Sequence, residues 1–230
     1  DLELKLQCLI KKREELEAKL KKFPVTVSQL KLFLKLKVEK GMSSLKTIKT
    51  KEDYYDQSYE KRCEILQAPN RDILTLCKTL VMKNKNYKEE LADDPNYPLF
   101  VGVVVQYKTK FHSGKLSEVM RDYQNEAVDN QNKGGKKASK KAYHFRVADE
   151  KENDIITKCA FNGVTPFEWN HDTYGKIPIV FSDHIHSSIS KLNPSVFYLG
   201  AGEYITKFGL SVEDFMKYHK DNVIVGHIIE

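Results

Sequence analysis

The sequence predicts an α+β protein in which a helical and coiled-coil N-terminal half precedes a small antiparallel β-barrel. Three observations carry this prediction. Residues 1–23 hold leucines at alternating spacings of four and three, residues 24–96 hold apolar residues mostly at helical spacing, and residues 97–230 hold short runs rich in Val, Ile, Phe and Tyr. These three ranges are the predicted domains: a coiled-coil-like helix, a helical region and the barrel.

The composition is that of an ordinary globular protein, with 40% apolar and 30% charged residues. No apolar run approaches the ~20 residues that a membrane-spanning helix needs, so we expect no membrane partner. The formal net charge of +6 permits a polyanionic partner without requiring one. The four cysteines are far apart and form no CxxC pair, which favours buried free thiols in a reducing, intracellular compartment.

The N-terminal stretch has the spacing of an amphipathic helix that Pro24 ends. Its a/d stripe of about three heptads consists of Leu2, Leu6, Leu9, Leu16, Leu20 and Phe23. We expect this helix to bind a protein partner, to mediate self-association or to pack against its own domain. We also expect a longer protein to continue upstream of Asp1.

Residues 24–96 are predicted to be helical. Val27–Val38 fits both an alternating strand and a helix face, and we favour the helix because Leu and Lys are poor strand formers. Lys51–Gln67 predicts a second helix. Asn70 caps a predicted third helix, whose broad apolar face consists of Ile73, Leu74, Leu76, Cys77, Leu80 and Val81. The breaker cluster Asp93–Pro98 marks the predicted domain boundary.

The predicted barrel begins with a strand within Pro98–Lys110. A second strand, Tyr143–Val147, passes through an acidic turn at Asp149–Asp154 into a third strand, Ile155–Phe161. The long basic loop 112–142 between the first two strands carries a short predicted helix and a lysine-rich end. The remaining elements are predicted strands at Ile177–Phe181, Val196–Ile205 and Val223–Ile229 and predicted helices at His184–Leu192 and Ser211–Tyr218.

This order of elements resembles the OB-fold, a five-stranded barrel that often binds single-stranded nucleic acid. The resemblance is to the single-strand-binding domains of the replication protein A family. It rests on HFRVADE at 144–150, where those domains have a strand that ends in an acidic turn, and on IITKCAFN at 155–162, where a strand ends in an apolar-Phe-Asn step. It covers residues 98–230, and residues 163–176 depart from the pattern and leave the later strand register open.

The resemblance implies a non-catalytic module of a larger nuclear or chromosomal protein, with a nucleic-acid groove across the middle strands. Such grooves combine aromatic faces for base stacking with lysines and arginines for phosphates. The implied stacking residues are Tyr107, Tyr143, Phe145, Phe161 and Trp169. The implied phosphate-binding residues are Lys108, Lys110, Lys133, Lys136, Lys137, Lys140, Lys141, Arg146 and Lys158.

A structural or scaffolding protein is the alternative. The same aromatic residues also fit a barrel core, and a lysine-rich loop also fits an ordinary solvated surface. In that case residues 1–23 oligomerise the chain and the barrel docks a protein, because a fold alone does not fix a function.

An enzyme is not predicted, and neither are a catalytic residue, a cofactor or a metal. The sequence contains neither a GxSxG nucleophile elbow nor a GxxxxGK[ST] phosphate loop. A metal centre around Asp183, His184 and His186 is a further hypothesis, but capping of a helix start explains these residues more simply.

Overall fold

The computed structural model describes residues 3, 6, 7, 10, 11, 27–91, 97–130 and 137–230. Its helices are α1 (Val27–Leu34), α2 (Tyr59–Leu66), α3 (Ser113–Asn130), α4 (Glu150–Thr157), α5 (Asp183–Ile189) and α6 (Val212–Tyr218). Its strands are β1 (Lys46–Lys49), β2 (Cys77–Asn84), β3 (Phe100–Gln106), β4 (Phe145–Val147), β5 (Ile179–Ser182), β6 (Val196–Gly200), β7 (Thr206–Ser211) and β8 (Val223–Gly226). A π-helical turn, Lys35–Glu39, extends α1.

The strands form two open sheets. The five-stranded sheet has the order β4-β2-β3-β5-β8, and the three-stranded sheet has the order β1-β7-β6. In the larger sheet the β4-β2-β3 pairs are antiparallel and the β3-β5-β8 pairs are parallel, whereas the smaller sheet is antiparallel throughout. The predicted barrel is therefore wrong. The larger sheet ends at the edge strands β4 and β8 and does not close on itself.

The largest core cluster contains residues from both sheets. Phe181 of β5, Phe197 of β6 and Phe215 of α6 are fully buried there, with ring centroids 4.7–5.7 Å apart. Burying such a side chain contributes roughly 1.5–3 kcal/mol to stability. A second cluster contains alternate residues of β3 and the buried residues Leu116 and Met120 of α3. Because β3 is buried on both faces, its sequence is a continuous apolar run.

The third predicted helix of the N-terminal half is wrong at its centre, because Cys77–Asn84 is the strand β2. This strand pairs with β3 along its whole length and with β4 at its end. Buried positions therefore lie on both of its faces, and together they imitate the broad apolar face of a helix. Sheet pairing overrides the helical preference of Leu, Lys and Met in this segment.

The predicted third barrel strand is also wrong, because Glu150–Thr157 is the helix α4. Asp149 accepts a hydrogen bond from the Glu152 amide at 2.9 Å, and Glu152 accepts one from the Asp149 amide at 3.0 Å. This capping box satisfies backbone donors that a helix start leaves unpaired. The acidic segment predicted to be a turn is the beginning of a helix.

The predicted all-helical region at residues 24–96 is wrong. Strands β1 and β2 lie within residues 24–96 and pair with β7, β3 and β4 from residues 97–230, so both sheets cross the predicted boundary. Within the predicted stripe, Leu6 is helical and exposed. The other stripe positions, Leu2, Leu9, Leu16, Leu20 and Phe23, lie outside the described residues. None of the described helices is long and apolar enough to cross a membrane.

Candidate active site

A cleft lies along the free edge of β2. Strand β4 pairs with β2 only from Met82 to Asn84, so among the described residues the edge from Lys78 to Leu80 forms no strand ladder on this side. The amide of Ala148 donates to the carbonyl oxygen of Val81 at 2.8 Å and ends the pairing. The chain then turns into α4, and a cleft of about 600 Å³ opens over the unpaired edge.

Lys78 is the one basic side chain that the described residues contribute to this cleft. The β2-β3 register pairs it with Val105, and the side chain is half-buried. Its Nζ atom lies 5.6 Å from the centroid of the Tyr107 ring, and within the described part of the chain it has neither a hydrogen-bond nor an ion-pair partner. An ammonium group without a partner is available to bind an electron-rich atom of a ligand.

The helix α4 contributes carboxylates to the same cleft. Glu150 and Asp154 are four residues apart, which brings them to one face of the helix, and both are exposed without an ion pair among the described residues. Asp149 also lines the cleft, but its carboxylate caps α4. The hydrogen bond from the Glu152 amide holds the pKa of Asp149 below its ordinary value. The cleft thus has a free cation on one wall and two free carboxylates on another.

The remaining wall is the loop that follows α4. Asn162 has a left-handed backbone, with φ of 60°, and the next residue, Gly163, packs directly against Gly200. A Cβ atom on Gly200 would lie 2.6 Å from the carbonyl oxygen of Gly163, which is closer than side chains approach. The Gly163 carbonyl also accepts the amide of Gly202 at 2.7 Å. Backbone-to-backbone contact therefore fixes this wall.

Apolar side chains form the rim of the cleft. Phe161 is 81% exposed and Val147 is 58% exposed, and both line the opening. Ligand-binding clefts are typically lined by apolar side chains with a few polar groups among them, as this one is. An aromatic ring as exposed as that of Phe161 offers a face on which a flat ligand can stack.

The described lining residues include no serine, cysteine or histidine. The hydroxyl oxygen of Thr79 is buried, and burial raises the pKa of Tyr107 above its ordinary value. The cleft therefore offers no activated protein nucleophile, and a reaction in it would use water or a group of the ligand. Its charges instead suit a ligand that carries a cation beside a polarisable carbonyl.

The structure brings two of the predicted stacking residues, Tyr107 and Phe161, into this cleft. The other three are buried, with Tyr143, Phe145 and Trp169 exposed by 4%, 3% and 6%. The rings of Tyr143 and Phe145 stack 5.7 Å apart within the cluster under α3, and Trp169 Nε1 donates to the carbonyl of Thr165 at 2.5 Å. These three aromatic residues pack in the core.

None of the predicted phosphate-binding residues that the structure describes lines the cleft. Lys110 pairs with Glu230 at 2.6 Å, Lys137 pairs with Asp129 at 2.8 Å and Arg146 pairs with Glu152 at 3.2 Å. Four other predicted phosphate-binding residues are exposed: Lys108, Lys140, Lys141 and Lys158. The last two, Lys133 and Lys136, lie outside the described residues. The barrel groove that would have collected them does not exist, and their contact with nucleic acid stays a prediction.

The hypothetical metal centre lacks ligands. Among the described residues no group of three or more His, Cys, Asp and Glu side chains could hold a metal ion. Asp183 contacts His227 Nδ1 at 3.1 Å, and His184 Nδ1 lies 2.5 Å from Oε1 of Gln106. These polar groups bind each other at the start of α5.

Lys78, Glu150 and Asp154 are not predicted from the sequence, because the predictions for both of their elements are wrong. A lone lysine inside the apolar run 73–82 was a usable signal, since a buried strand places few charges inside such a run. The pattern of Asp149 followed by Glu152 was another, since it is the sequence signature of a capping box.

Neither a protein-family model nor a curated protein matches this sequence. Solved structures share its fold. A protein described as a candidate trans-editing enzyme for prolyl-tRNA synthetase superposes with a TM-score of 0.58 and 13% identity, over 90% of this chain and 99% of its own. A scaffold protein for computational epitope grafting superposes with a TM-score of 0.57 and 12% identity, over 90% of this chain and 99% of its own. A protein described as hypothetical superposes with a TM-score of 0.56 and 12% identity, over 88% of this chain and 99% of its own.

Identities this low establish the fold alone. The fold they share with this chain extends over nearly its whole length and contains no barrel, so the resemblance to the OB-fold of the replication protein A family is wrong. The interaction module built on that barrel is wrong with it. The chain is similar in fold to the protein described as a candidate trans-editing enzyme for prolyl-tRNA synthetase.

Proposed function

We propose that this chain is a hydrolase that cleaves the ester bond of aminoacyl-tRNA. The observation that carries the proposal is the pairing of opposed charges in the β2 cleft, with Lys78 on one wall and Glu150 and Asp154 on another. An aminoacyl ester presents a carbonyl next to an α-ammonium group and ends in an adenosine. The fold shared with a protein described as a trans-editing enzyme supports the same substrate class.

Each part of the substrate has a matching group in the cleft. The carboxylates of Glu150 and Asp154 bind the α-ammonium group, and the exposed ring of Phe161 stacks on the terminal adenine, a contact worth ~1–3 kcal/mol for one base. Lys78 donates a hydrogen bond to the ester carbonyl oxygen. It binds that oxygen more strongly once negative charge develops on it, which lowers the barrier.

The reaction needs water as its second substrate. Water oxygen adds to the carbonyl carbon, and Lys78 stabilises the resulting oxyanion. The bond between that carbon and the ribose oxygen then breaks, one water proton goes to the ribose oxygen, and the amino acid leaves as a carboxylic acid that ionises. No acyl-enzyme forms, because the described lining offers no serine or cysteine. This function requires an intracellular location, and a nuclear one stays a prediction.

The first test measures amino acid release from a panel of aminoacyl-tRNAs, including tRNA for proline charged with the wrong amino acid. We expect Lys78→Met to lower kcat/KM by about 100-fold or more, since it removes the oxyanion partner. Lys46→Met is the matched control, because Lys46 is an exposed lysine on the edge strand β1, and it should leave kcat/KM unchanged. Failure of the wild-type chain to release any amino acid above the uncatalysed rate contradicts the proposal.

A second test addresses the carboxylates. N-acetylation of the aminoacyl group removes its positive charge, and we expect it to lower kcat/KM of the wild type by about 10-fold. In the double variant Glu150→Gln with Asp154→Asn, both substrates should react alike. Asp172→Asn, at an exposed carboxylate away from the cleft, should keep the wild-type preference. An undiminished preference in the double variant would assign the ammonium group to another site.

A further inference from the structure

Lys207 of β7 is a buried cation without a carboxylate partner among the residues that the structure describes. It is 4% exposed, and among the described residues it forms no ion pair. Its Nζ atom donates to the hydroxyl oxygen of Tyr55 at 2.6 Å, to the carbonyl of Tyr204 at 3.1 Å and to the carbonyl of Asn162 at 3.4 Å. It also lies 4.5 Å from the centroid of the Tyr55 ring. Burying a charge destabilises the folded state unless such partners compensate it, so we expect this lysine to have a function.

Aromatic rings rather than acids surround this lysine. The groups that face it or share its enclosure are Tyr54, Tyr55, Tyr107, Tyr198, Tyr204, Cys77 and Arg62. We call Tyr54, Tyr55, Tyr107 and Tyr198 the tyrosine cage, to which Tyr204 adds its backbone carbonyl. The guanidinium of Arg62 lies 5.3 Å from the Tyr55 ring centroid and 5.9 Å from that of Tyr107, whereas Lys78 lies 5.6 Å from Tyr107. The cage therefore connects Lys207 to the β2 cleft.

The second connection to the cleft is Asn162. The hydroxyl of Tyr55 accepts from Lys207 and donates to the carbonyl of Asn162 in a short hydrogen bond. Asn162 lines the cleft with a left-handed backbone, and Gly163 beside it packs on Gly200 without room for a Cβ atom. A shift of the Asn162 carbonyl must therefore move the cleft wall, because this contact leaves no slack.

We propose that Lys207 is a positioning residue that, together with Tyr55, fixes the Asn162 carbonyl and so the loop wall of the β2 cleft. The positioning role itself does not depend on the proposed function. Only its predicted effect on KM rests on that function. Lys207 does not itself line the cleft, and it does not touch the reacting atoms. Its effect is on how well the wall fits the substrate, which appears in KM more than in kcat.

The charge state of Lys207 changes the number of donors that hold the wall. Burial, with a smaller effect from the Arg62 charge, lowers the pKa of Lys207 to about 7 from its ordinary value of 10.5. Below that pH the ammonium has three N–H donors for its three oxygen acceptors. Above it the neutral amine has two, and the longest bond, 3.4 Å to Asn162, is the weakest to begin with. The wall is held best when Lys207 is charged.

The kinetic test compares the wild type with Lys207→Met and Tyr55→Phe in aminoacyl-tRNA hydrolysis from about pH 6 to about pH 9. We expect the wild-type KM to rise about fivefold across that range while kcat changes little by comparison. Lys207→Met should have the high KM at every pH, and Lys207→Arg, which keeps a permanent charge, should lose the pH dependence while keeping a lower KM than Lys207→Met. Lys49→Met, at an exposed lysine of β1, is the control. A Lys207→Met variant with the wild-type KM and pH profile overturns the proposal.

Amide hydrogen exchange tests the positioning role without any substrate. The amides of Gly163 and Gly202 donate within the wall at 2.8 Å and 2.7 Å, and in Lys207→Met they should exchange about 10-fold faster. Should the wild type lack hydrolase activity while these amides loosen in the variant, the proposed function falls and the positioning role stands. If the wild type is active and both Lys207→Met and Tyr55→Phe keep the wild-type amide exchange rates and KM, then Lys207 does not position the cleft wall.

Discussion

Two lysines show how the surroundings of a side chain decide its chemistry. Lys78 lies at an unpaired strand edge, half-buried and without a hydrogen-bond or ion-pair partner among the described residues, and is free to bind a ligand. Lys207 is enclosed by tyrosines, and burial lowers its pKa to about 7. Desolvation disfavours the charged form of a buried amine such as that of Lys207. The first lysine can act on a substrate and the second on the protein itself.

His219 makes stability depend on acidity. Its ring is 5% exposed and stacks on Phe167 with centroids 5.4 Å apart, and burial lowers its pKa to about 3. The unfolded chain keeps a histidine pKa of about 6.5. As the pH falls from about 6.5 towards 3, the unfolded state therefore binds a proton that the folded state does not. The free energy of unfolding then falls by up to about 1.4 kcal/mol per pH unit.

We expect His219→Phe to remove this dependence, because phenylalanine keeps the stacking and Nε2 of His219 has no hydrogen-bond partner among the described residues. Urea unfolding at about pH 7 and pH 5 should show the wild type losing on the order of 2 kcal/mol more than the variant. His144→Phe, at an exposed histidine, serves as the control and should behave as the wild type. Equal losses of unfolding free energy between about pH 7 and pH 5 in the wild type and in His219→Phe would contradict this prediction. They would mean that His219 binds a proton as readily in the folded protein as in the unfolded chain.

At the scale of elements, the cleft depends on two local structural features, the short length of β4 and the capping box of α4. The short strand β4 leaves half of the β2 edge unpaired, and the capping box starts α4 immediately after it, so that the helix lines the same cleft as Lys78. The helix ends at Lys158, whose left-handed conformation, with φ of 54°, reverses the chain towards Phe161. Strand end, helix start and helix end together form three sides of the site.

The contact between Gly200 of β6 and the loop wall is a prediction that belongs to this scale. A Cβ atom in Gly200→Ala would lie 2.5 Å from the backbone oxygen of Val164, where no side-chain rotation relieves the clash. We expect about 2 kcal/mol of lost stability and about 10-fold lower kcat/KM as the wall moves. Thermal unfolding and aminoacyl-tRNA hydrolysis measure the two effects.

The control for this substitution is Gly114→Ala in α3, where the added methyl group would meet a side chain, that of His112. The His112 side chain can rotate away at the cost of its hydrogen bond from the Lys115 amide, so this variant should lose less stability than Gly200→Ala and keep full activity. Full activity and stability in Gly200→Ala would show that the loop can retreat and that the close packing does not position it.

At the scale of the whole molecule, strand pairing joins the two ends of the chain. β1 pairs with β7, and the central β2-β3 pair joins residues on either side of the predicted boundary. The core cluster between the sheets includes Leu36 and Leu45 from the first part and Phe208 and Phe215 from the second. Residues distant in sequence thus share one core, which is the condition for cooperative unfolding.

We expect the chain to unfold in one transition. Far-ultraviolet circular dichroism follows the whole backbone, and the fluorescence of Trp169, the single tryptophan of the sequence, follows the core between α4 and β3. The two denaturation curves should coincide within about 10–15% in the free energy of unfolding. A fragment of residues 97–230 should not fold, because it lacks β2, the partner of β3. Two separate transitions, or a folded fragment, would instead support independent domains.

Much of the secondary structure could be predicted from periodicity. The strands β3, β5, β6 and β8 and the helices α1, α5 and α6 agree with their patterns, including the Ser211 cap of α6, which accepts from the Asp214 amide at 3.1 Å. The strands β1 and β7 carry too few apolar residues to stand out in sequence, and β2 and α4 were assigned wrongly. Of the cleft, the sequence analysis identified Tyr107 and Phe161 but neither Lys78 nor the α4 carboxylates.

The sequence by itself determined the local elements and the residue types available to them, because spacing, caps and breakers act within a few residues of one another. Only the tertiary structure decided that Cys77–Asn84 is a strand, since its preference depends on the neighbours β3 and β4. The tertiary structure also decided that two open sheets form instead of a barrel. It alone brings Lys78, Glu150 and Phe161 to one cleft, because contacts between distant residues leave no mark in the periodicity of either segment.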